Sequence, residues 1–194
     1  MAPPSIFLRG DNLLENNTSL LRIFELQALD AAHRAMCVAA ALQAFAVSQA
    51  VARKANQITL QRLIDEKNGK MWVLSGFEKL KDKVVGSGQC PGIVQSYGGL
   101  PLTRYWFEGP KVKGVDVVPY GTAIATFIDG KYKSLPHGNH VAIYIDQDPV
   151  KGLLVFDQWT GRPANYRWMK WGDGVTDRSN DGAAMSIILT PKDN

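Results

Sequence analysis

The sequence predicts an α+β protein, with a helical N-terminal segment followed by a sheet-rich domain. Three observations lead there. Residues 18–68 contain no proline and form one run of helix formers. Seventeen of the eighteen glycines and all five tryptophans lie from Gly69 onward. Beyond that point short apolar runs alternate with turn signals, as strands joined by tight connections do. A chain of 194 residues suits one domain plus an appendage. The expected division is a helical segment over 1–70 and a folded domain over 71–194.

The N-terminal segment comes first. Thr18 and Ser19 follow two asparagines and suit a helix N-cap. Leu20, Leu21, Phe24, Leu29 and Ala32 fall near helical spacing, and the pattern runs on through Met36, Leu42 and Val47 to about Lys54. A second stretch, Thr59 to Lys67, carries Leu60, Leu63 and Ile64. A helical hairpin or one long helix is expected. The most apolar window, Ala35 to Ala52, is alanine-rich and interrupted by Gln43, Ser48 and Gln49. Its length is marginal against the roughly 20 residues of a membrane span. A helix packed against protein is therefore expected, without stable membrane insertion. The opening MAPPSIFLRGDNLLENN lacks the basic start, apolar run and cleavage site of a secretory signal peptide. The expectation is a protein made in the cytoplasm without such a signal.

The second part reads as one helix at Cys90 followed by about five antiparallel strands. The strands are expected in GTAIATFIDGKY, HVAIYIDQD, GLLVFDQW, PANYRWMKW and AAMSIILTP, whose Ile, Val, Phe and Tyr content suits a pleated surface. Asp129-Gly130 has the form of a hairpin turn, and Lys151-Gly152 of a further connection.

Composition narrows the function. Hydrophobic content of 45% and charged content of 21% are ordinary for a globular protein. A net charge of +4, with no Lys/Arg tract and no zinc-finger spacing, gives no reason to expect nucleic acid as a partner. The two cysteines, Cys37 and Cys90, lie in segments of different character, so two unpaired thiols are expected rather than a disulfide scaffold.

Cys90 sits in the stretch GSGQCPGIVQSYGGLP. Pro91 is favoured at a first helical position, which puts Cys90 at or beside a helix N-cap. Unpaired N–H groups there lower a thiol pKa and can hold an oxyanion. Taken alone, the stretch fits a small buried hydrophobe equally well. A cysteine nucleophile needs a base, and the base needs an orienting group. Of three histidines, His33 lies in the helical segment, while His137 and His140 sit in LPHGNHVAIYID. His140 opens an alternating strand, a rigid platform for a catalytic side chain. Asp157 follows the apolar run of the next strand and can fix the imidazole tautomer. A zinc site at His137 and His140 is the rival use, with no further Cys/His cluster to support it. No metal and no cofactor are expected.

These residues resemble a known group. QCPGIVQSYGGLPLTR resembles the catalytic helix of the NlpC-type cell-wall peptidases, and the triplet GQC resembles the opening of the CHAP amidases. Both are papain-like. The run VVGSGQC, GTAIATF, GNHVAIYI, VFDQW and a late strand, over about residues 75–190, is most similar to small NlpC-like domains of proteobacteria, some linked to type VI secretion. Three positions depart from the NlpC pattern: Gln89 replaces an aspartate, Pro91 replaces a serine, and Asp157 stands where histidine is frequent.

The resemblance implies a papain-like NlpC-type core and a cysteine amidase that cleaves peptide bonds in peptidoglycan stems. It implies Cys90 as nucleophile, His140 as general base and Asp157 as orienting residue. Gln89 is a candidate oxyanion donor. Trp106, Tyr144 and Trp159 are candidates for the cleft wall, although large aromatics are more often core. Implied partners are peptidoglycan, an immunity protein, and a secretion-machine component or chaperone bound by the N-terminal helices. An antibacterial toxin acting in the periplasm of a target cell follows from the same resemblance. A transferase or deamidase acting on protein or lipid, or a non-catalytic binding module, remains open from the sequence.

Overall fold

The structure is a computed structural model that describes residues 12–172 and 174–192. The leaderless reading of the N-terminus thus falls, up to residue 11, outside the described residues. The chain forms two compact units, Met1–Ala52 and Arg53–Asn194.

A single helix, α1, runs from Asn12 to Glu66. Thr18 and Ser19, expected as an N-cap, are helical residues inside it. The two expected runs are continuous because Ala55-Asn56-Gln57-Ile58 holds neither glycine nor proline to break the backbone ladder. The hairpin alternative is therefore not formed. In the first unit the described apolar side chains are exposed, Leu42 and Phe45 at 64% each. The expected packing of the window Ala35–Ala52 against protein is not seen. Over Phe24–Glu66 this helix is, by length and composition, long and apolar enough to cross a membrane.

The last turns of α1 belong to the second unit, where Leu60 and Ile64 are buried. The compact boundary therefore precedes the expected one at residue 70.

The second unit is built on a seven-stranded sheet. Its strands are β1 (Gly69–Met71), β2 (Phe107–Lys111), β3 (Ala123–Thr126), β4 (Val141–Asp148), β5 (Gly152–Trp159), β6 (Arg162–Met169) and β7 (Met185–Pro191). The order is β1-β7-β3-β4-β5-β6, with β2 also pairing β7. Every pairing is antiparallel. The five expected strands are β3 to β7, and β1 and β2 are additional. The last strand in sequence is central. Its run Met185–Thr190 is buried at every position, as befits a strand covered on both faces.

Strand alternation separates two apolar layers. One contains Ala123, Ala125, Val141, Ile143, Phe156 and Ile188, capped by Ile93, Val94 and Trp106. The other contains Ile124, Ala142, Tyr144, Val155, Ile187 and Leu189, covered by Leu60 and Ile64 of α1. The Asp129-Gly130 turn forms as expected. Both residues have positive φ, and Ile128 and Lys131 exchange two main-chain hydrogen bonds of 3.0 Å across it.

Candidate active site

Cys90 lies in the loop that enters a single wide turn of π-helix, Ile93–Tyr97. The expected helix at Cys90 is thus five residues long and begins beyond the cysteine. A helix dipole is not what activates this thiol. Instead the loop is held from below by Gln158 of β5, which is fully buried. Its Oε1 accepts from the Val85 N–H at 2.9 Å. Its Nε2 donates to the carbonyls of Val85 at 2.7 Å and Gln89 at 2.9 Å. Gly92 makes this grip possible. A Cβ at that position would sit 2.5 Å from the Val85 carbonyl oxygen and 2.7 Å from Gln158 Nε2. One side chain therefore fixes the backbone at both ends of the turn 86–88 that leads into Cys90.

His140 directly precedes β4 and Asp157 lies near the end of β5. Ile143 pairs with Phe156, so continuing that register brings His140 level with Trp159 and leaves Asp157 on the near diagonal. The side chains meet there: His140 Nε2 lies 2.6 Å from Asp157 Oδ2, and both residues are buried. Asp157 Oδ2 also accepts from Arg167 Nε at 2.8 Å. A buried carboxylate needs such partners to remain charged. With Nε2 committed to Asp157, Nδ1 is the ring nitrogen left to serve the sulfur.

The electrostatics favour a charged pair. Burial pushes the Cys90 thiol up, but hydrogen bonding to His140, the His140 charge, the Tyr132 hydroxyl and the Val141 main chain together bring it below its ordinary value. Burial pushes the His140 imidazolium down, and Asp157 and Cys90 more than offset this, leaving it above its ordinary value. The opposite shifts of the two partners both act in favour of the thiolate–imidazolium form of the pair.

The pair opens into a cleft of about 370 Å³ lined by Gln89, Asn139, Trp159 and Arg167 among others. Of the residues singled out in the sequence, Cys90, His140, Asp157, Gln89 and Trp159 come together here. Trp159 meets the His140 ring edge-on, with centroids 6.1 Å apart. The guanidinium groups of Arg162 and Arg167 lie 4.8 Å and 5.0 Å from its ring centroid. Trp106 and Tyr144, two of the candidates for the cleft wall, are instead core. Trp106 is 1% exposed and donates its indole N–H to the Pro101 carbonyl. Tyr144 alternates with Ile143 along β4 and so falls in the layer against α1.

Four contributors escaped the sequence reading: Gln158, Arg167, Tyr132 and Asn139. Arg167 carried a signal that a β-bulge hides. A Thr160-Gly161 turn pairs Trp159 with Arg162 and by plain register would set Asp157 opposite Ala164. The register instead shifts between Asp157 and Trp159, pairs Asp157 with Asn165, and so brings Arg167 two residues along on the same face. Gln158, the neighbour of Asp157, carried none, because its partners are backbone atoms far away in sequence.

Comparison with known proteins gives a consistent picture. Residues 69–188 match the family described as domesticated amidase effector 2. A type VI secretion amidase effector 2 protein of Salmonella typhi is 36% identical over 90 residues, which is 45% of this chain and 67% of that protein. A domesticated amidase effector 2 of Ixodes scapularis is 31% identical over 103 residues, 53% of this chain and 66% of that protein. The solved structure of a type 6 secretion amidase effector 2 (Tae2) superposes with a TM-score of 0.56 at 29% identity, covering 62% of this chain and 96% of that one. The α+β, papain-like architecture expected from the sequence is thereby borne out. This chain belongs to the amidase effector 2 family.

Proposed function

We propose that the protein is a cysteine amidase that hydrolyses peptide bonds in peptidoglycan stem peptides, as a type VI secreted antibacterial effector. The observation that carries the cysteine chemistry is the line Cys90, His140, Asp157, with a depressed thiol at the mouth of an open cleft. The names of the relatives support the amide substrate and the secretion route.

The reaction is acyl transfer. The Cys90 thiolate attacks the scissile carbonyl carbon, forming a C–S bond and a tetrahedral oxyanion. The Cys90 main-chain N–H and the Gln89 carboxamide beside it are the proposed oxyanion donors. Collapse breaks the C–N bond, and the amine leaves with the proton held by the His140 imidazolium. His140, now neutral, takes a proton from water. The resulting hydroxide attacks the thioester and expels the thiolate, and the imidazolium is restored. Asp157 keeps the ring oriented and stabilises its charged form, and Arg167 holds Asp157 in turn.

Action on the wall places the enzyme's work in the periplasm of a target cell. An immunity protein that covers the cleft is the partner such a toxin calls for in its producer. The exposed apolar side chains of α1 support the reading of the N-terminal segment as the element bound by a chaperone or secretion component.

Purified sacculi are the test. Wild-type protein is expected to release peptide-cleaved muropeptides resolvable by mass. Cys90→Ala should lower the rate by about 10⁴-fold or more, as loss of a nucleophile does. Equal release by both proteins would contradict the proposal.

A further inference from the structure

Behind the cleft lies Tyr132, which the triad leaves unexplained. It is 7% exposed, and its ring packs against Trp106 and Phe127 with centroids 5.4 Å and 6.5 Å away. Its hydroxyl is 3.7 Å from Cys90 Sγ and 3.0 Å from Asn139 Nδ2. The direction of these bonds can be deduced. The two ends of an asparagine amide are told apart by their neighbours. The main-chain N–H of Leu135 lies 3.1 Å from the other end of Asn139, and a main-chain N–H can only donate. That end is therefore the carbonyl Oδ1, and the end facing Tyr132 is the NH₂ group. An NH₂ group in turn only donates, so the Tyr132 oxygen accepts there. Its single proton is left for the sulfur.

We propose that Tyr132 is a catalytic hydrogen-bond donor to the Cys90 thiolate, its proton aimed by Asn139, which is aimed in turn by the Leu135 N–H. This rests on the reading of Cys90 as nucleophile. The sulfur is anionic at two points of the cycle, as the resting nucleophile and as the group expelled from the thioester. The bond is strongest at those points and weakest in the acyl-enzyme, so it favours formation of the nucleophile and its release. Tyr132 suits a permanent donor. Burial and the neighbouring thiolate hold its phenol well above the ordinary value, so the proton stays in place across the working pH range. The closed loop Leu135–Asn139 places this device immediately before His140. Two successive residues thus serve one sulfur, Asn139 through Tyr132 and His140 directly.

The test is the rate of iodoacetamide alkylation of Cys90 against pH, in the full chain, followed by peptide mass. The exposed Cys37 is an internal standard. Tyr132→Phe keeps the ring and removes the donor. It should slow Cys90 alkylation about tenfold near pH 6, as loss of a hydrogen bond to a charged group does. The difference should close at alkaline pH, where the thiol ionises unaided. Asn139→Asp keeps the Leu135 bond but turns the donor into an acceptor, drawing the phenol proton away from sulfur. It should lower the rate near pH 6 with Tyr132 still present. Once Tyr132→Phe is made, adding Asn139→Asp should cost little more. If Cys90 labels no faster than Cys37 near pH 6 in the wild type, the nucleophile reading itself falls. If Cys90 labels fast and equally in all variants, only the role of Tyr132 falls. Should Tyr132→Phe fail to fold, Asn139→Asp in the intact chain carries the same decision.

Discussion

Two stretches of one helix meet different fates. Leu42 and Phe45 are each 64% exposed, whereas Leu60 and Ile64, fewer than six turns later, are 3% and 1% exposed. Both pairs are apolar and both sit in unbroken helix. The second pair is covered because β3, β4, β5 and β7 present an apolar face at that point, with Val155, Ile187 and Leu189 in the same cluster. Helical periodicity foretells that an apolar face exists and says nothing of what will cover it. The packing of the second unit draws on the last turns of α1, which cover one apolar layer of its sheet.

The sharpest break in this contrast is chemical, and it lies with Asp157. Asp157→Asn preserves the shape but removes the carboxylate that raises the His140 imidazolium. The amidase rate is expected to fall by about 10² to 10⁴-fold. The sign of the pH effect follows. With its anionic partner gone, His140 loses its proton at lower pH, so the alkaline limb of the kcat/KM profile moves toward acid. A profile unchanged in shape would assign the carboxylate to structure alone.

Smaller effects separate the two stretches directly. Ile64→Ala opens a cavity in a filled layer and should destabilise the second unit by about 2 to 5 kcal/mol. Phe45→Ala removes an exposed ring and should change its stability by less than about 0.5 kcal/mol. Denaturant unfolding followed by tryptophan fluorescence reads the second unit specifically, since all five tryptophans lie at or beyond residue 72. Comparable losses from the two substitutions would erase the contrast.

Much of this was legible in the sequence, and the gaps have physical reasons. Strands β3 to β7 announced themselves because each is long enough to show its apolar pattern. β1 spans three residues, and β2 reads Phe-Glu-Gly-Pro-Lys, where glycine and proline mask a strand. The central place of β7 was not legible, since pairing order is a property of the closed sheet. Cys90, His140 and Asp157 could be named because chemistry demands their types and because His140 and Asp157 flank successive apolar runs. Tyr144 was misassigned because its face depends on strand alternation fixed only once the sheet closes. Trp106 was misassigned because a buried indole and a cleft indole look alike in sequence. Tyr132 and Asn139 were invisible because their roles rest on hydrogen-bond direction, set by the main chain of Leu135.

In the proposed mechanism bond cleavage passes through sulfur. The most direct measurement is to quench the enzyme during turnover on stem-peptide substrate at acid pH and map covalent adducts by mass. A thioester-linked peptide fragment on Cys90, absent from Cys37 and absent from Cys90→Ala, is the predicted result. Steady cleavage with no adduct at Cys90 at any quench time, and with Cys90→Ala retaining the rate, would contradict it and assign the attack to water.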